Sequence, residues 1–292
     1  MNRALDESNA VHCLGNGKIC AYAKGLDLFE IFGSYYSAPT GVSLLFNGDR
    51  ELCLETKRKP ETAIWTYEVR NAKESLGTLT EFADSTDPIV YRNIKFHQPM
   101  SFQLVADQVE KFYFVPEETL QIKNFYYGEI PEGTSFCIYS IDGEKRRGFV
   151  TDKVLYFGFV ATGDACVTKE TLTLLNIQIS DGTMALFYGE DFYVLVEYAQ
   201  KVNLTDFSVH LQNAEAWWLA CSANRKRNYS VADRELAEMI DDTYVLIKTQ
   251  QSCSGGVLAC YPYHLAYIRD NYGVNRGLLA MGAYDESKAL LI

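Results

Sequence analysis

The chain is expected to be mainly β: a large antiparallel β-sandwich followed by a helical linker and a short helical segment. Three observations predict this. Runs rich in β-branched and aromatic residues recur between Gly, Asn and Asp turns from about Val11 to Leu211. No repeat of fixed period links those runs, which disfavours a propeller or solenoid. From about Gln212 the pattern changes to helix formers with three- and four-residue apolar spacing. The expected division is residues 1–211 for the sandwich, 212–232 for the linker and 233–292 for the helical segment.

In the β region, Leu14-Gly15-Asn16-Gly17-Lys18 is a turn leading into Ile19-Cys20-Ala21-Tyr22-Ala23. A phosphate-cradling loop would need a Gly-Lys-Ser/Thr ending and a following helix, and it has neither. Asn47-Gly48, Asp142-Gly143 and Asp181-Gly182 are dipeptides that favour tight hairpins. Strands are expected at Phe29–Phe32, Ile89–Phe96, Val154–Val160 and Phe192–Tyr198, several of them apolar on both faces as in packed sheets. His12, His97 and His210 stand isolated and read as packed or surface imidazoles. Glu81, Asp84 and Asp87 read as a solvated acidic loop around Ser85 and Thr86, not as a calcium site.

Asn213 is the expected cap of a linker helix carrying Trp217 and Trp218, whose end at Arg225-Lys226-Arg227 complements the helix dipole. A second helix is expected over Asp233–Gln250, with Leu236, Met239, Ile240, Tyr244 and Ile247 on one stripe and Asp241 and Asp242 as solvated carboxylates beside it. Ser252-Cys253-Ser254-Gly255-Gly256 breaks that helix. Ser254, Cys253, Cys260 and His264 lack the glycine-flanked elbow and the third group of a nucleophilic site. Asp270 is the expected cap of a third helix and Gly282 its stop.

Bulk properties narrow the function. Net charge is −11, with no basic run longer than Arg225–Arg227, which argues against nucleic acid as partner. No apolar run approaches the ~20 residues of a membrane span. The first residues lack an export signal, and the eight cysteines show no close zinc or redox spacing. A cytoplasmic protein with buried free thiols is expected, and no metal or cofactor is called for. Twenty tyrosines and sixteen phenylalanines suit strands, and also a surface that stacks on ring-shaped ligands.

The order of sandwich, Trp-Trp helix, amphipathic helix, Gly-rich loop, Tyr267-Ile268-Arg269-Asp270 and Leu278-Leu279-Ala280-Met281-Gly282-Ala283-Tyr284 resembles bacterial glucoamylase-type glycoside hydrolases. These are similar to the wider six-hairpin glycosidases, in which a sandwich is joined by a linker to a toroid of six helical hairpins. The specific part of the resemblance covers about residues 213–292. It implies that Arg269 and Asp270 bind hydroxyls of an α-glucoside, with Tyr267 as a wall where the family usually has Trp. A carboxylate and a guanidinium offer acceptors and forked donors to vicinal hydroxyls.

Inverting glycosidases need an acid and a base flanking the bond, and in the family both follow well downstream of this motif. Twelve helices take roughly 200 residues; Asp233 to Ile292 holds two helices and part of a third. The expectation is therefore a truncated, inactive glycosidase with no catalytic residue of its own. Two alternatives stand beside it: a carbohydrate-binding or assembly module that self-associates through residues 233–292, and a fragment of a disaccharide phosphorylase.

Overall fold

A computed structural model describes residues 11–33, 41–48, 52–106, 109–114, 136–141, 155–171, 174–189, 191–226, 230–259 and 266–291. Thirteen strands form one curled antiparallel sheet: β1 (Val11–Gly15), β2 (Cys20–Lys24), β3 (Asp27–Phe32), β4 (Val42–Phe46), β5 (Cys53–Arg58), β6 (Trp65–Arg70), β7 (Ser75–Ala83), β8 (Ile89–Ala106), β9 (Val109–Phe114), β10 (Phe136–Ile141), β11 (Leu155–Ala161), β12 (Cys166–Thr171) and β13 (Leu174–Gly189). Among the described residues five helices follow: α1 (Phe192–Leu204), α2 (Phe207–Asn224), α3 (Arg234–Gln250), α4 (Ile268–Ala280) and α5 (Tyr284–Leu290). Among the described residues no helix is long and apolar enough to cross a membrane.

The curl comes from two long strands that change partners midway. The first half of β8 pairs with β7 and its second half with β4, while β13 runs alongside both halves. The register slips between Ile179 and Asp181, opposite the segment of β8 that contains Pro99. Proline offers no N–H to a ladder, so a break in pairing is tolerated there. The sheet bends until β1 packs against β7 without pairing to it, an arrangement compatible with a sandwich.

Alternation on β8 shows how each face is used. Val90 and Ile94 join the core enclosed by the curl, with Leu14, Leu44, Leu79 and Phe157. Ile89 and Tyr91 point the other way, into a second core with Leu195 and Val196 of α1, Trp218 of α2, Tyr244 and Val245 of α3 and Leu278 of α4. The strand is apolar on both faces because each face is covered.

The run Phe192–Tyr198, expected as strand, is helix instead. Asp191 caps it by accepting from the Tyr193 amide, and Leu195, Val196, Ala199 and Val202 form its buried side. The strands therefore end at Gly189 and the chain is helical before residue 211. The linker helix also starts earlier than Asn213, at Phe207, where Asp206 accepts from the Ser208 amide at 2.7 Å.

Among the turns, the Gly15–Lys18 stretch does join β1 to β2 as a hairpin, with the Asn16 carboxamide oxygen accepting from the Lys18 and Ile19 amides. Asn47-Gly48 follows β4, but β4 pairs with β3 and β8 and the next strand, β5, pairs with β6, so no tight hairpin forms. Asp181-Gly182 lies inside β13 at the register slip. Asp142-Gly143 lies outside the described residues, as do Cys260 and His264. The thiols are mixed in exposure: Cys13 and Cys20 are buried, with sulfurs 3.2 Å apart, whereas Cys53, Cys166 and Cys253 are exposed.

Candidate functional site

Helix α3 spans the expected stretch, and Asp233 caps it, its carboxylate accepting from the Leu236 amide at 3.1 Å. Its apolar stripe is buried only toward the C-terminus: Tyr244 is buried, while Leu236 and Met239 are half or more exposed. Asp241 and Asp242 are ion-paired instead of merely solvated. Asp241 accepts from Arg225 at 2.6 Å, and Asp242 pairs with Arg58 of β5.

The end of α3 docks on the β1–β2 hairpin. A Cβ on Gly15 would lie 2.0 Å from the Thr249 carbonyl oxygen, so only glycine permits this approach. The Cys253 amide donates to the Gly17 carbonyl at 2.8 Å, and the Tyr22 hydroxyl donates to Gln250 at 2.6 Å. The loop after α3 is tied to α4 through the Val257 amide, which donates to the Asn271 carboxamide oxygen at 3.1 Å.

Helix α4 begins at Tyr267, which is its N-cap and makes no side-chain cap bond. Asp270 is therefore not the cap but a residue of the first turn, where its charge still complements the helix dipole. The stop is as expected. Gly282 takes φ +74°, its amide donates to Leu279 O and the Ala283 amide to Leu278 O, a Schellman ending. Glu286 of α5 then accepts from Tyr244 at 3.0 Å and Lys248 at 2.9 Å, fastening α5 to α3.

On this anchored scaffold the first turn of α4 faces solvent. Arg269 is 92 % exposed and stands 3.7 Å from Asp270, a loose pair. Tyr267, Ile268 and Tyr272 are exposed beside it, with the Arg276 guanidinium 6.0 Å from the Tyr272 ring. The turn thus displays a guanidinium, a carboxylate and two phenol rings. That set can donate to and accept from hydroxyls and cover a C–H face.

Two buried polar clusters were not apparent from the sequence. In the enclosed core, Glu81 accepts from His12 Nε2 at 2.7 Å, Tyr67 at 2.5 Å and Arg92 Nε at 2.7 Å, while Arg92 Nη1 donates to the Leu26 carbonyl. Burial works to raise the Glu81 carboxyl, but the Arg92 charge and the hydrogen bonds from His12 and Tyr67 overcome it and bring it down to about 2. On the helical side, Asp84 accepts from the Thr86 and Asp87 amides and from Lys201, which also reaches Asp87 at 2.7 Å. Burial again opposes ionisation, and those amides together with Lys201 hold Asp84 below its ordinary value.

His210 stacks on Tyr91 at 4.5 Å next to Asp84, and burial lowers its pKa. The solvated acidic loop is thus corrected: Glu81 and Asp84 are buried, on opposite faces of the sheet. Among the described residues no group of three or more His, Cys, Asp or Glu side chains is arranged to hold a metal.

No protein-family profile matches the chain, and no curated protein matches it by sequence. Among solved structures it is similar to a bacterial glucoamylase complexed with acarbose, with a TM-score of 0.67 at 10 % identity. The match covers 100 % of this chain and 51 % of that one, so the chain spans about half the neighbour's length. At this identity the likeness is one of fold.

Proposed function

We propose that the chain carries the sandwich and part of the sugar-binding subsite of an inverting, glucoamylase-like glycoside hydrolase acting on α-glucosides. The observation that carries this reading is the fold likeness to a glucoamylase along the whole chain, with Arg269, Asp270 and Tyr267 on an exposed turn of a well-anchored helix. In this reading Arg269 donates to adjacent hydroxyls, Asp270 accepts from one, and Tyr267 covers a ring face. These residues bind sugar and do not by themselves cleave it, because inversion needs two carboxyl groups flanking the bond.

The test is titration of acarbose, maltose, isomaltose and trehalose by saturation-transfer NMR, alongside an assay of reducing-sugar release. Weak binding is expected, lost in Arg269→Ala and in Asp270→Asn, with no turnover. Clear turnover, or binding indifferent to both substitutions, overturns the reading.

A second reading, an assembly module, is favoured by the exposed apolar side chains Leu236, Met239 and Leu246 on α3 with Ile268 and Leu279 on α4. Light scattering across a concentration series decides it: self-association through residues 233–292 is expected, and a monomer at every concentration contradicts it.

A further inference from the structure

We propose that the cleft between β1, the β5–β6 hairpin and α3 binds a small neutral polyhydroxylated ligand of monosaccharide or polyol type, with His12, Arg58 and Asp242 making its polar contacts. The cleft has a volume of about 200 Å³, with Trp65, Val245 and Leu246 among its apolar walls. Drug-sized ligands occupy pockets of roughly 300–1,000 Å³, so this space suits a single ring.

Charge selects a neutral ligand. Arg58 donates to the Thr62 carbonyl at 2.9 Å and is paired with Asp242, and the neighbouring Asp241 is taken by Arg225. Among the described residues lining the cleft an anion would meet no free cation, and it would have to displace a carboxylate. A guanidinium already paired with a carboxylate still presents donors and acceptors side by side, which is what vicinal hydroxyls need.

His12 supplies a ring held in a fixed orientation. Its ring hydrogen bonds run to Nε2, where Glu81 Oε1 and the Tyr67 hydroxyl lie, and the ring stacks on Trp65 at 4.1 Å. Nε2 is taken by these two groups, so the ring nitrogen left for a ligand is Nδ1. Trp65 offers the cleft a ring face and not a donor, because its Nε1 is shut away from solvent. The site also joins sheet to helix, because Trp65 belongs to β6 and Asp242 to α3.

The inference does not rest on Arg269 and Asp270, and the test separates the two sites. In an Asp270→Asn chain, D-glucose and myo-inositol are titrated by ligand-observed NMR and tryptophan fluorescence, with inorganic phosphate and D-glucuronate as anionic probes. Saturable binding of the neutral probes is expected. Leu246→Trp, which fills the cleft from a half-exposed position, and Asp242→Ala should each weaken it about tenfold, the scale of one lost charged hydrogen bond. Thermal melts establish that each variant folds, and Asp242→Ala decides if Leu246→Trp does not. No saturable binding of either neutral probe, binding unchanged in the folded variants, or preferential binding of phosphate or glucuronate overturns the proposal.

Discussion

Arg92 and Glu81 meet at 2.7 Å with neither side chain exposed, whereas Arg269 and Asp270 stand 3.7 Å apart, the arginine almost wholly in solvent. The chemistry is the same and the surroundings are opposite. Around Glu81, His12 and Tyr67 donate to the oxygen that Arg92 Nε leaves, so both carboxylate oxygens are engaged within the core, while the buried Arg92 Nη2 has no hydrogen-bond partner. Among the described residues only the loose contact with Arg269 engages the Asp270 side chain, which leaves its oxygens and the Arg269 fork usable by a ligand. A buried pair resists loss of one partner, while an exposed pair contributes little to folding and is free to recognise something else.

The comparison can be broken most forcefully at the buried pair. Arg92→Leu leaves a carboxylate in the core and is expected to destabilise by about 3–5 kcal/mol in urea unfolding, while Arg92→Met with Glu81→Leu should recover most of that loss. A single-variant loss below ~1 kcal/mol would show that the core does not depend on the pair.

Acid provides the next test. Because the folded Glu81 carboxyl is depressed to about 2, its contribution is fully present above the ordinary carboxylate value and fades as pH falls toward 2. Glu81→Gln should therefore lose the part of the stability–pH slope below pH ~4.5 that this group supplies. An unchanged slope in the urea midpoints contradicts the assignment.

Gly15→Ala drives a methyl into the Thr249 carbonyl and should reduce stability by about 1–3 kcal/mol, the usual range for overpacking. A neutral calorimetric result would mean that the hairpin does not need this close seat. The smallest effect belongs to the exposed pair: Arg269→Ala and Asp270→Asn should change unfolding free energy by no more than about 0.5 kcal/mol. A larger loss would make the pair structural after all.

Local chemistry in the sequence located what depends on local chemistry. The Gly15–Gly17 turn, the start of the second helix at about Asp233 and the Gly282 stop each rest on a few neighbouring residues, and each is found in place. The sequence of helix α1 reads as strand because Phe192–Tyr198 is nearly continuously apolar, and such a run does not distinguish buried strand from buried helix. Asp191 as a cap and the spacing of Leu195, Val196, Ala199 and Val202 were the available signals.

The Glu81 cluster was not legible at all. His12 and Glu81 are 69 residues apart, and only the folded sheet brings them together. Lys201 and Asp84, 117 residues apart, are hidden for the same reason. For the exposed pair, the motif was visible from the start, and what the fold adds is its accessibility and its anchored helix.

The seat of the β1–β2 hairpin on the end of α3 has a consequence for synthesis. The Tyr22 hydroxyl and its partner Gln250 are 228 residues apart, a span that takes roughly 10–45 s to translate at ordinary rates. During that interval the hairpin emerges from the ribosome with its docking edge uncovered, so the nascent chain is vulnerable to mispairing until α3 arrives.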